Sequence, residues 1–143
     1  MFVFVSRSTA ETESFAASLA DSVRAGDVIA LYGGLGAGKT AFVRGLARGL
    51  GSTSEVSSPT FALVHEYEGR LPIAHFDMYR IHTLDDLYST GFFDFLDAGY
   101  VTVIEWSENV EDYLPDRRMT IRIARGSTEN ERTLTIEDAN TLG

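Results

Sequence analysis

Cysteine is absent from this 143-residue chain, and lysine occurs once, at Lys39. Without thiols there can be no disulfide, thiolate nucleophile, iron–sulfur cluster or cysteine-based zinc site. Positive charge is scarce as well: 12 Lys and Arg stand against 21 Asp and Glu, a net charge of -9. A surface of that sign is repelled by nucleic-acid phosphates and by anionic membranes, so direct sequence-independent binding to RNA or DNA is not expected. Long apolar runs are missing too. Residues 2–5 are too few for a signal-peptide core and nothing reaches transmembrane length, so a cytoplasmic protein with no membrane contact is the expectation.

What is present describes one ordinary globule. The chain is 44% hydrophobic and of single-domain length, so residues 1–143 read as one domain. Residues 2–5 read as a short strand. Ser8 followed by Glu11 fits a capping box that opens a helix through about Arg24, with Phe15, Leu19 and Val23 on its buried face and Gly26 as its C-cap. Residues 27–32 form a nearly continuous apolar run, the pattern of a central parallel strand covered on both faces. Residues 39–50 read as a helix. Two strands follow at 61–67 and 71–77, joined by a short turn. Residues 83–96 read as a helix broken at Gly91, residues 101–106 as another buried strand, and residues 109–114 as a short helix. Residues 119–124 and 133–136 alternate apolar and polar side chains and read as an antiparallel pair. The fold class expected is therefore α/β: a three-layer domain with a mostly parallel central sheet and an antiparallel C-terminal edge.

The lone lysine is the seventh residue of the octet Gly33-Gly34-Leu35-Gly36-Ala37-Gly38-Lys39-Thr40, which fits the phosphate-cradling pattern G-x-x-x-x-G-K-[ST]. Glycines let the backbone wrap a phosphate closely, so that successive N–H groups point inward. The helix that follows adds its N-terminal dipole. In such a loop the lysine reaches the β- and γ-phosphates and the Thr40 hydroxyl serves Mg²⁺. The strand before the octet and the helix after it supply the context this motif needs, so the expected three-layer α/β domain is a P-loop NTPase domain. Guanine is commonly read by Asn-Lys-x-Asp, and no second lysine exists to form it.

A phosphate loop needs a carboxylate at a strand end to complete its metal site. Two candidates are present, Asp77 after the run 71–76 and Glu105 after 101–104. Either can hold Mg²⁺ while the other orients an attacking water. Ser58-Pro59-Thr60 reads by spacing as a loop-to-strand junction or as a switch segment that brings Thr60 to the γ-phosphate. His65, His75 and His82 show no metal-ligand spacing, and His75 reads as a core group. Arg44 and Arg48 share one helix face, read as solvated. The aromatics between Tyr88 and Trp106 read as core, with a partner interface as the alternative.

Taken together, Leu35-Gly36-Ala37-Gly38-Lys39-Thr40, Ser58-Pro59-Thr60-Phe61, His75-Phe76-Asp77-Met78-Tyr79-Arg80 and Ile104-Glu105-Trp106 resemble, in that order and spacing, the TsaE (YjeE) family of bacterial P-loop ATPases. The resemblance implies an ATP- and Mg²⁺-dependent ATPase. Its slow hydrolysis supports the partner proteins TsaD and TsaB in forming threonylcarbamoyladenosine next to the anticodon of tRNAs reading codons that start with A. Contact with tRNA is then indirect. By the same resemblance Lys39 and Thr40 bind phosphate and metal, Thr60 belongs to a switch-like loop, and Asp77 and Glu105 are the metal-site acid and the second functional acid. Gly34 stands where the family has Asp or Asn, and Asp94-Phe95 where it often has Glu-Tyr. Two other classes fit the phosphate loop: a small-molecule kinase, and a binding module gated by nucleotide without appreciable hydrolysis.

Overall fold

A computed structural model describes residues 1–34, 38–59 and 63–138 of the chain. In chain order its elements are β1 (Phe2–Ser6), α1 (Thr9–Leu19), β2 (Val28–Tyr32), α2 (Lys39–Gly49), β3 (Val64–Tyr67), β4 (Ile73–Asp77), α3 (Leu84–Ser89), α4 (Phe92–Leu96), β5 (Val101–Glu105), β6 (Met119–Arg125) and β7 (Arg132–Asp138). All seven strands join one sheet in the order β1-β7-β6-β2-β5-β4-β3. The four central strands, β6, β2, β5 and β4, run parallel to one another. Antiparallel pairs flank them, β6–β7–β1 on one side and β4–β3 on the other. Because β1 opposes β7 and β7 opposes β6, β1 points the same way as the centre. The sheet is thus mostly parallel in direction, with an antiparallel C-terminal edge.

The strands β2, β4 and β5 are buried at all five positions, as expected for strands covered on both faces. Alternation then divides their side chains between two cores. Ile29, Leu31, Ile73, Val101 and Val103 pack with Phe42, Val43 and Leu46 of α2 and Ala16 of α1. Val28, Ala30, Ala74, Phe76 and Ile104 pack on the opposite face with Leu87 of α3 and Phe92 of α4. The result is three layers, helix–sheet–helix. Among the described residues no helix is long and apolar enough to cross a membrane.

Several local expectations need correction. The helix α1 ends at Leu19 and tightens into a 3-10 turn over Ala20–Ser22. Gly26 (φ 87°) therefore shapes the turn into β2 and does not cap α1. The Ser8 hydroxyl accepts from the Glu11 N–H, but the Glu11 carboxylate accepts from the Arg7 N–H and leaves the capping box half formed. Thr12 and Ala16 are the fully inward residues of α1; Phe15 and Leu19 pack partly buried against the same core, Val23 is buried in it beyond the helix, and Phe15 stacks on Phe4 with ring centroids 4.3 Å apart. Residues 107–113 form two 3-10 turns in place of one α-helix. Arg44 and Arg48 both reach Glu13 of α1, at 3.5 and 3.3 Å, so the face read as solvated carries ion pairs between the two helices. The break at Gly91 is present, with φ 80° between α3 and α4.

Candidate functional site

The parallel strands end on one rim. There β2 runs out at Tyr32, β4 at Asp77 and β5 at Glu105, and Asp77 and Glu105 sit side by side in register. Ligands of open α/β sheets bind at such carboxyl ends. The helix α2 begins above this rim. Its cap residue, Gly38, has φ 103° and no side chain to bond the first turn, and no acidic residue lies in that turn. The N–H groups at the start of α2 therefore remain available to an anion.

Lys39 is the first residue of α2 and is buried. Its Nζ donates to the Gly33 carbonyl at 2.7 Å and stands 3.8 Å from the centroid of the Trp106 ring. An ammonium group has three donors, so two remain for a ligand. Burial lowers the Lys39 pKa from its ordinary value, against the opposite pull of the Glu105, Glu108 and Asp77 charges. Trp106 itself has φ 59°, a conformation that costs a non-glycine residue about 1–2 kcal/mol. That turn carries the chain sharply away from Glu105 and sets the indole between Lys39 and Tyr79, whose ring centroid is 4.9 Å away.

The oxygen donors gather next to the lysine. The Thr40 hydroxyl lies 3.4 Å from Glu105 Oε2, and the Ser58 hydroxyl 3.5 Å from Asp77 Oδ2. Both distances exceed a good O–H···O bond, so these groups are neighbours and not closed pairs. Asp77 Oδ1 is held by the Tyr79 N–H at 2.9 Å. Among the described residues no three His, Cys, Asp or Glu side chains form a metal cage. A hydroxyl with one or two carboxylates suits Mg²⁺, which prefers oxygen and keeps waters and phosphate oxygens as its other ligands. The donor set therefore fits that ion.

These groups line a cleft of ≈ 530 Å³. Gly38, Lys39, Thr40, Ser58, Asp77, Glu105 and Trp106 form one part of its wall, and Ser8, Thr9, Thr12, Asn130 and Arg132 another. Of the residues singled out in the sequence, the structure brings together Lys39, Thr40, Asp77 and Glu105, with Gly33 at the lysine. Gly34 has open space beside its backbone. Leu35, Gly36, Ala37 and Thr60 lie outside the described residues. Sequence reasoning missed Ser8, Thr12, Asn130 and Arg132 as cleft residues: no binding motif marks them, and they meet only because β1 pairs with β7. It also missed that His75 bonds Glu105, Nε2 to Oε2 at 2.5 Å. The available signal was alternation: His75 and Asp77 share a face of β4, beside the strand that ends in Glu105.

The sequence model of the family described as Threonylcarbamoyl adenosine biosynthesis protein TsaE matches residues 6–134. The chain is similar to the tRNA threonylcarbamoyladenosine biosynthesis protein TsaE of Treponema pallidum, 40% identical over 132 residues, which covers 92% of this chain and 97% of that one. The protein of the same description from Bacillus subtilis is 42% identical over 127 residues, 87% of this chain and 79% of the other. Among solved structures, the crystal structure of Bacillus subtilis YdiB superposes with a TM-score of 0.81 at 34% identity, covering 96% of this chain and 85% of that one. With a family match over residues 6–134 and relatives 40% and 42% identical over most of both chains, the chain belongs to the TsaE family.

Proposed function

We propose that the chain binds ATP with Mg²⁺ in this cleft, hydrolyses it slowly, and through that hydrolysis supports TsaD and TsaB in forming threonylcarbamoyladenosine on tRNA. The observation that carries this reading is the convergence of Lys39, Thr40, Asp77 and Glu105 at the start of α2 and the ends of β4 and β5. Lys39 contributes its two remaining donors to phosphate oxygens, and the free N–H groups of α2 add their dipole. Thr40 and Asp77 would hold Mg²⁺, with Glu105 beside them. What the ion would supply when held there is positive charge to offset that of the phosphates. Glu105 is placed to orient a water and accept its proton.

Slow turnover follows from charge. Lys39 and Arg132 are the cations among the described residues lining the cleft, and Arg132 already donates to the carbonyls of Glu129 and Glu131. Phosphoryl transfer speeds up greatly when a further positive group meets the transferring phosphate. A partner that supplies or orders such a group would accelerate the reaction.

The test is ATP turnover by wild type and Lys39→Ala, each with and without purified TsaD–TsaB. Slow release of phosphate by wild type, raised by the pair and lost in Lys39→Ala, is the expected result. Transfer of phosphate to a metabolite in place of water would point to a kinase. ATP binding with no response to TsaD–TsaB would remove the partner part of the reading.

A further inference from the structure

Behind the cleft lies a buried polar chain that ATP binding and hydrolysis, as proposed, do not use. His75 is fully buried on β4, and Tyr67 is buried on β3. The His75 Nε2 meets Glu105 Oε2, and its Nδ1 lies 3.0 Å from the Tyr67 hydroxyl. That hydroxyl is also 3.2 Å from the Ser57 carbonyl, and the same carbonyl is 3.2 Å from His65 Nδ1. The next residue, Ser58, approaches Asp77. The loop at 57–58 therefore touches one strand-end acid directly and reaches the other through two side chains.

Hydrogen-bond bookkeeping narrows the roles. A carboxylate only accepts, and a neutral imidazole has one donor and one acceptor. With the ring neutral and Glu105 ionised, Nε2–H donates to Glu105 and Nδ1 accepts from the Tyr67 hydroxyl. Burial raises the Tyr67 phenol pKa, so it remains a donor. Its single hydrogen has His75 Nδ1 and the Ser57 carbonyl in reach, with His65 Nδ1 further off at 3.5 Å. The approaches of His75 and of Thr40 to the Glu105 carboxylate both fall on Oε2. Oε1 has no hydrogen-bond partner among the described residues and is the oxygen left to act on a ligand.

We propose that His75 and Tyr67 are positioning residues for Glu105: the imidazole fixes which carboxylate oxygen is presented to the nucleotide, and the Tyr67 hydroxyl ties that orientation to the loop backbone at Ser57. A histidine that only filled the core would not need to spend its donor on the acid that closes the cleft. The proposal rests on Glu105 acting in a nucleotide site.

Three variants test it: Tyr67→Phe, which keeps the ring in the core, His75→Gln, which keeps a donor toward Glu105, and His75→Leu, which does not. In the nucleotide-free protein, Tyr67→Phe should leave the melting transition cooperative and speed amide exchange at Ser57 and Ser58 by roughly 2- to 10-fold, the loss of one net hydrogen bond. In turnover it should lower kcat by about 10-fold with KM for ATP little changed, the lower end for a group that orients another. His75→Gln should retain a larger share of kcat than His75→Leu. Wild-type exchange and wild-type kcat in Tyr67→Phe would overturn the proposal, as would equal kcat loss in the two His75 variants. The exchange measurement needs no nucleotide. If wild type bound no ATP, the functional reading would fail on that result, while unchanged exchange in Tyr67→Phe would refute the tie to the loop separately.

Discussion

The helix that carries Lys39 is held in place by two glycines, and replacing one of them has a calculable cost. Gly45 and Gly49 face α1 across the helix–helix contact. A Cβ at Gly45 would stand 2.1 Å from the Glu13 carbonyl oxygen, with the Glu13 Cα at 2.6 Å and its carbonyl carbon at 2.7 Å. An ordinary carbon–oxygen contact is about 3.3 Å or more, so Gly45→Ala requires α1 and α2 to part locally by about 1.2 Å. The obstructing atoms are all backbone, and no rotamer change relieves them. Overpacking costs about 1–3 kcal/mol, and a clash against backbone belongs at the top of that range. Alanine returns about 1 kcal/mol of helix propensity. The net loss is then about 2 kcal/mol, or a fall of roughly 6–8 °C in Tm for a domain of this size. Ser8, Thr9 and Thr12 of the cleft lie at or in the start of α1, so ATP affinity should weaken as well. Thermal melting followed by circular dichroism reads the effect, with Gly34→Ala as control. A Cβ added at Gly34 would meet nothing within 4 Å, and the backbone there is not left-handed, so alanine should be neutral or slightly stabilising. A Gly45→Ala protein melting at or above wild type would refute the packing argument.

Other perturbations follow from the same structure. Glu105→Gln should keep ATP binding while hydrolysis falls about 100-fold or more, as for loss of a general base; partner-dependent function that survived in this variant would show that binding alone suffices. Phe42→Ala empties a fully buried site between α2 and the sheet and should cost about 3–5 kcal/mol in urea unfolding. The Tyr32 phenol is pushed up to about 12 by burial, then by the hydrogen bond to Glu111 and its charge, with Arg118 and Arg122 opposing. Its folded-state pKa lies above the ordinary tyrosine value of 10.0, so it contributes stability that is present below pH 10.0 and lost as pH rises toward about 12. In urea titrations at about pH 9 and about pH 11, either side of that ordinary value, Tyr32→Phe should lose less stability between the two than wild type; equal losses would count against the assignment.

The parts of this molecule that were legible in the sequence are those written in neighbouring residues. The octet that fits the phosphate-loop pattern is eight consecutive residues, and β2 and most of β5 are apolar runs whose burial on both faces requires two helical layers. Asp77 and Glu105 could be named because each closes such a run. What escaped depends on distant segments. His75 becomes a partner of Glu105 only through the register that sets β4 beside β5. Arg132 and Asn130 join Ser8 only when β7 pairs with β1. Gly45 and Gly49 are unremarkable in a helix until α1 lies against them, and no residue type announces the left-handed turn at Trp106. Gly26 was misread because the same glycine that suits a C-cap also suits the turn before a strand.

The most direct test of the central claim is calorimetric titration of ATP·Mg²⁺ into wild type and Lys39→Ala. Wild type should bind one nucleotide, and Lys39→Ala should bind about 10- to 150-fold more weakly, the loss of a charge-assisted hydrogen bond to phosphate. Wild type that takes up no nucleotide, or Lys39→Ala that binds as tightly as wild type, would contradict it.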